Sequence, residues 1–292
     1  MRRIFPFLLL LTVSLFGWSR QQSAITYDLT APPRVISLSG AITDVLVTLG
    51  QADALVGRDV TSTYPAETTA EIPSLGHVSQ LNAEAILALR PEIIFVEADQ
   101  AKQSSVLDQL SGSSVKVVPI QTEYSLANAG KIAEQLQAHM PIAPERVAAL
   151  LQQNENTQAR LQKTLSNVKE SPKVLFIYAR GAGRLLVAGT ETSASTVIDL
   201  AGGTNAIQSF TGFKALNSEA LIEARPDVIL MFTSGLASLD GKKGLAQIPG
   251  MLQTPAFQQN RIIAMDGHYL TGFGTQAGQA VEELARNIHQ IP

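Results

Sequence analysis

The chain has 292 residues, 45% of them hydrophobic and 16% charged, with 22 lysines and arginines set against 25 aspartates and glutamates. Its length suits two domains of ordinary size, and a net charge of -3 gives no general attraction to a phosphate backbone, which argues against nucleic-acid binding. Cysteine is absent, so the sequence supports neither a disulfide framework nor a lipid anchor on cysteine.

Met1-Arg2-Arg3 followed by an apolar run over residues 4–18 has the charged and hydrophobic regions of a secretory signal peptide, and the run is too short for a comfortable membrane span. Small residues near Ser19 and at Ala24 offer cleavage sites. Residues 1–24 are therefore expected to be removed, leaving a soluble periplasmic protein that is not membrane-embedded. After them, residues 34–38 read as a strand and 41–49 as a helix that closes at Gly50, the usual left-handed terminator. A strand over 54–57 feeds a polar loop, Arg58-Asp59-Val60-Thr61-Ser62-Thr63-Tyr64-Pro65. A helix near 104–110 and a strand over 116–120 follow. Strands alternating with helices predict an α/β fold with mostly parallel sheets.

Residues 144–168 carry apolar side chains at helical spacing, interrupted by a polar centre over 152–158. Helical throughout, this segment would run about 37 Å, long enough to cross between two lobes. The expected division is a first lobe over 33–141, a linking helix over 142–170 and a second lobe over 171–292, which opens with a strand at Lys173 and closes with an amphipathic helix over 275–289.

One segment occurs twice. Leu81-Asn82-Ala83-Glu84-Ala85-Ile86-Leu87-Ala88-Leu89-Arg90-Pro91-Glu92-Ile93-Ile94-Phe95 returns as Leu216-Asn217-Ser218-Glu219-Ala220-Leu221-Ile222-Glu223-Ala224-Arg225-Pro226-Asp227-Val228-Ile229-Leu230, offset throughout by 217 minus 82, or 135 residues. Each copy reads as a short amphipathic helix that stops before Arg-Pro, then an apolar strand. Two copies are too few for a solenoid. They predict two similar Rossmann-like lobes with a ligand cleft between them.

Enzymatic signatures are missing: no Gly-x-Ser-x-Gly, His-Glu-x-x-His or Cys-x-x-Cys occurs. The stretch over 235–243 departs from a phosphate loop in spacing, and Gly181-Ala182-Gly183 is better read as a tight turn than as a dinucleotide fingerprint. The four histidines are scattered, with His139 and His289 read as surface residues near helix ends and His77 placed close to the cleft. Tyr64 is the leading ligand-binding candidate. Pro65 restricts its backbone in a loop after a strand, and a phenol bound to a Lewis-acidic ferric ion loses its proton far more readily than its ordinary value near 10 allows.

These segments, together with Ile72-Pro73-Ser74-Leu75-Gly76-His77 and Ala179-Arg180-Gly181-Ala182-Gly183, resemble the haem-binding periplasmic proteins of bacterial haem ABC importers, within the cobalamin and ferric-siderophore receptor class. The resemblance covers nearly all of the mature chain. It implies a monomer that catalyses nothing, takes haem b as transported ligand and delivers it to an inner-membrane ABC permease. It further implies Tyr64 as haem iron ligand, with Arg180, Arg58, His77 and Arg184 as haem-contacting candidates and Glu84 and Glu219 as permease-docking carboxylates. In some members a histidine stands at the second-lobe turn; this chain has Ala179-Arg180 there, which implies five-coordinate iron or a weak sixth ligand such as water. The alternatives are a cobalamin or ferric-siderophore receptor and, from a different class, a periplasmic tetrapyrrole-processing enzyme.

Overall fold

Four short apolar segments build the first sheet: β1 (Val35–Leu38), β2 (Leu55–Arg58), β3 (Ile93–Glu97) and β4 (Lys116–Ile120). They are parallel throughout, in the order β2-β1-β3-β4. All four residues of β1 are buried, as a central strand covered on both faces requires. The computed structural model describes residues 32–110 and 114–291; the signal-peptide expectation lies outside them.

The helices α1 (Gly40–Thr48), α2 (Ala66–Ala70), α3 (Ala83–Ala88) and α4 (Asn128–Gln137) belong to this lobe. Gly50, with φ 76°, terminates α1 as expected. The crossing helix α5 (Pro144–Leu165) opens with proline in its first turn, where the missing N–H costs nothing, and carries Lys163 in its last. Its 22 residues span about 33 Å. The polar centre does not break it: Thr157 is buried while Gln152, Glu155 and Asn156 face water. The helix packs against α4 and against the carboxyl-terminal helix.

The second lobe contains β5 (Lys173–Ala179), β6 (Leu185–Ala188), β7 (Thr204–Asn205), β8 (Phe213–Ala215), β9 (Val228–Phe232) and β10 (Ile262–Met265). Their order is β10-β9-β5-β6-β8, with β7 on β5. This sheet is mixed, because β6 turns back antiparallel to β5 and pairs antiparallel with β8, while β5, β7, β9 and β10 are parallel. Here α6 (Ser193–Leu200), α7 (Ser218–Ala224), α8 (Gly267–Thr271) and α9 (Ala277–His289) follow. Apolar clusters lie on both faces of the second sheet, and a separate one around Ile36, Ile86 and Ile94 fills the first lobe. Among the described residues no helix is long and apolar enough to cross a membrane.

The repeat survives in three dimensions. Asn82 and Asn217 cap α3 and α7, their side chains accepting from the backbone N–H of Ala85 and Ala220 at 2.9 and 2.7 Å. Arg90 and Arg225 both leave the helix in the left-handed region, with φ 47° and 42°. The Arg-Pro stop thus works through a left-handed residue, normally glycine's place, rather than through the extended one that proline favours before it.

Candidate functional site

The carboxyl ends of parallel strands are where an open α/β sheet offers a crevice, and both sheets point those ends at one cavity. Its volume is about 410 Å³. Ser39, Thr61, Glu97 and Tyr124 line it from the first lobe, and Phe232, His268 and Phe273 from the second; no lysine or arginine is among the lining residues. A larger hollow of about 650 Å³ lies at the opposite, amino-terminal ends of β5, β9 and β10, beside Asp227 and Arg261, and lacks the two-lobed enclosure of a ligand site.

The loop leading to Tyr64 is fixed by Asp59, which is 2% exposed. Asp59 Oδ2 accepts from the N–H and hydroxyl of Thr61 at 3.1 and 2.5 Å, and Oδ1 accepts from those of Ser62 at 3.1 and 2.5 Å. Ser62 Oγ lies 2.7 Å from Thr43 Oγ1, which donates to Ser37 Oγ, so the loop is sewn to β1 and α1. On the far side Arg58 donates through Nε to the Thr69 carbonyl at 2.7 Å and through a terminal nitrogen to the Asp59 carbonyl. Tyr64 emerges half-buried from this braced turn.

Across the cleft, His268 stacks on Tyr64 with ring centroids 6.0 Å apart and planes 18° from parallel. The approach depends on Gly40: a side chain there would strike the His268 imidazole and the Thr61 carbonyl. Burial pushes the His268 imidazole below its ordinary value, against the opposing pull of Asp44, Asp266 and Asp59. Asp44 itself ties the lobes. Its carboxylate accepts from the N–H and hydroxyl of Thr275 at 2.7 and 2.8 Å, and nearby Asn128 Nδ2 donates to the Phe273 carbonyl at 3.0 Å. Burial nonetheless raises the Asp44 carboxyl. It also raises Glu97, whose oxygens accept from Ser39 Oγ at 2.6 Å and Gln100 Nε2 at 3.1 Å, with Asp59 adding to the rise.

The sequence-derived candidates divide. Tyr64 is not itself a lining residue; it lies beside the cavity, next to Thr63 and stacked on His268, which both line it. Arg180 and Arg184 are exposed at the β5–β6 turn, bonded to each other through their backbones at 3.2 Å, and the Arg180 guanidinium lies 5.6 Å from the centre of the Tyr178 ring. Arg58 braces the Tyr64 loop through backbone carbonyls, as described. His77 is exposed, absent from the cavity lining, and uses its ring to accept from Ser79 N–H at 3.3 Å. Glu84 and Glu219 are exposed in the first turns of α3 and α7. Two histidines need correction: His139 is half-buried, 3.1 Å from Lys116 Nζ, and His289 is half-buried against the Ala201 carbonyl at 3.0 Å, so both serve packing and hydrogen bonding rather than a free surface.

Sequence reasoning missed His268, Glu97 and Phe232. All three stand at or just past the end of an apolar strand, the place where a parallel sheet presents ligand-facing groups, and Glu97 and Phe232 keep the repeat's offset of 135 (232 minus 97). Among the described residues no cluster of three or more histidines and carboxylates could hold a metal ion.

A family model described as periplasmic binding protein matches residues 35–269. The periplasmic heme-binding protein RhuT from Roseiflexus sp. RS-1, in apo form, superposes with a TM-score of 0.82 at 34% identity, covering 89% of this chain and 99% of that one. The periplasmic heme-binding protein BhuT, in complex with two hemes, gives 0.80 at 31% identity, covering 88% and 98%. Among curated proteins, a vitamin B12-binding protein of Yersinia pestis is 28% identical over 274 residues, 92% of this chain and 91% of its own length.

Proposed function

Because the chain belongs to the periplasmic binding protein family, we propose that it captures haem b between its two lobes outside the cytoplasmic membrane and passes it to an inner-membrane ABC permease. Haem is cargo here, and the protein is a carrier that acts as a monomer after loss of its signal peptide. The observation that carries this reading is Tyr64: a half-buried phenol on a loop braced by Asp59 and Arg58, held against His268 beside the inter-lobe cavity. Tyrosine is an established axial ligand of haem iron, and ferric iron favours the phenolate. The resemblance in fold and sequence to RhuT and BhuT supports the same cargo.

In this reading Tyr64 supplies the iron bond. Burial keeps the His268 imidazole neutral down to lower pH, and its stacking positions the phenol. Phe232, Phe273 and Tyr124 offer aromatic surface to the macrocycle. Arg180 and Arg184, outside the cavity lining, are assigned to the haem propionates, where a guanidinium fork suits a carboxylate. Arg58 acts through the loop. Glu84 and Glu219 present carboxylates to the permease, one from each lobe.

Titrating the apoprotein with hemin tests the reading. A saturable Soret band with tyrosinate charge-transfer features is expected, and Tyr64→Phe should abolish those features and weaken binding by about a hundredfold, about 2.7 kcal/mol. An unchanged spectrum in that variant would overturn the ligand assignment. The vitamin B12-binding relatives favour a second reading, a corrinoid cargo; saturable binding of cyanocobalamin without any of hemin would establish it instead.

A further inference from the structure

Each copy of the repeated helix leaves one large apolar side chain in water. Leu87 is 45% exposed and Ile222 is 47% exposed, and they are the same position of the repeat (222 minus 87 is 135). Their chain neighbours Ile86 and Leu221 are fully buried at 0%, so both helices are seated and the exposure is not a slipped register. A single exposed leucine on a protein surface needs no explanation. Two at one register, in two lobes, each with a glutamate three residues before it and an arginine three after, do, although the second copy adds an exposed Glu223 beside Ile222.

One turn before each stands a glutamate, Glu84 or Glu219, and three residues after each an arginine, Arg90 or Arg225. Both arginines sit at a positive φ, 47° and 42°, a conformation that costs a residue with a side chain energy glycine would not spend. Among the described residues none of the four charged groups has an ion-pair partner. Each helix thus carries an acid in its first turn and an apolar side chain one turn later, with a base just past its end, the make-up of a binding patch with an apolar centre and a charged rim.

We propose that Leu87 and Ile222 are the apolar anchors of a two-point docking surface, rimmed by Glu84 and Arg90 on one lobe and Glu219 and Arg225 on the other. The partner it fits presents one surface twice about a two-fold axis, each copy an apolar socket between a basic and an acidic group. A dimeric membrane permease has that form, and the inference rests on the carrier reading above. The charges steer the encounter and are weakened by salt; the apolar anchors set how long the complex lasts.

The test uses the full chain and proteoliposomes made from the source organism's cytoplasmic membranes, with ATP enclosed and radiolabelled haem supplied on the protein. Leu87→Ser combined with Ile222→Ser should raise the protein concentration giving half-maximal uptake at least about tenfold, roughly 1.4 kcal/mol, with hemin titration and thermal stability unchanged. Each single variant should give about half that free energy, and added salt should leave the loss in place. Native uptake by the double variant overturns the proposal. A readout independent of cargo is photo-crosslinking from p-benzoylphenylalanine placed at 87 or 222. Both positions should capture the same integral membrane protein, and capture from neither or only one overturns the docking surface. Failure of native protein to deliver haem, with crosslinks from both positions, would overturn the haem reading alone.

Discussion

From Asn82 to Val96 and from Asn217 to Met231 the two lobes run in step, and at the next residue they part. Up to that point the correspondence reaches individual atoms: the Arg34 N–H donates to Glu92 and the Lys173 N–H to Asp227, at 3.1 and 2.8 Å, while both acids return their own N–H to the carbonyl of that same residue at 2.8 Å. Then Glu97 stands where Phe232 stands. Glu97 is a half-buried acid tied to Ser39, whereas Phe232 packs edge-on against Phe176 and Tyr178, with centroids 4.9 and 6.0 Å away. What repeats is the helix–strand unit with its outward face. What differs is the crevice wall, where the first lobe brings a hydrogen-bonded loop with a phenol and the second an aromatic surface and a histidine.

The sharpest way to break the comparison is at Asp59, which braces the first lobe's loop and lies outside the repeated segment. Asp59→Ala removes four acceptor contacts from a buried carboxylate and strands the N–H groups of Thr61 and Ser62. The expected loss is about 3 kcal/mol of unfolding free energy, measured by denaturant titration, together with weaker hemin binding because Tyr64 loses its support. Stability equal to the native protein would mean that the loop is held by something other than its aspartate. The repeat is tested more gently at its caps. Asn82→Ala and Asn217→Ala should each cost about 1 kcal/mol, and the double variant should cost their sum, since the two sites share no contact. Clearly unequal costs would show that the copies match in form without matching in energy.

The parts legible in the sequence are those governed by near neighbours along the chain. An asparagine before an apolar period, with Arg-Pro after it, announces α3 and α7 twice over. Proline at the start of α5 announces the crossing helix, although its observed end at Leu165 precedes the expected end at 168, and α9 begins at Ala277 rather than 275. The Tyr64 loop was readable because Pro65 and the polar run before it are local. Other features depend on pairings across the fold. The antiparallel return of β6 is written in a turn at Gly181 that looks like any other tight turn, and β8 reaches β6 only after a long excursion of the chain. The Tyr64–His268 stack joins residues about two hundred apart in sequence, and Asp44 meets Thr275 across 231 positions. Nothing near His268 in the chain distinguishes it from a surface histidine; only the meeting of lobes brings it to the phenol.

The smallest expected effect concerns the strand ends where the lobes part, and it carries a sign. Burial raises the Glu97 carboxyl above its ordinary value of 4.5, with the charges of Asp59 and Asp99 adding to the rise and the hydrogen bonds from Ser39 and Gln100 opposing it. A carboxyl that holds its proton more tightly when folded contributes stability that is complete below the unfolded value and is lost as pH rises through the folded one. Glu97→Gln removes that loss. Its melting temperature should match the native protein below about pH 4.5 and exceed it increasingly as pH rises through the folded value, levelling off above it. His268 works in the opposite sense: its depressed folded value gives stability that is present above 6.5 and declines as pH falls towards the folded value, so His268→Gln should flatten the acid side of the native profile and leave the alkaline side alone. The corresponding change on the second lobe, Phe232→Leu, introduces no titrating group and should lower stability by the same amount at every pH. A pH-dependent difference at 232, or none at 97, would mean that the two strand ends do not differ electrostatically as their side chains require.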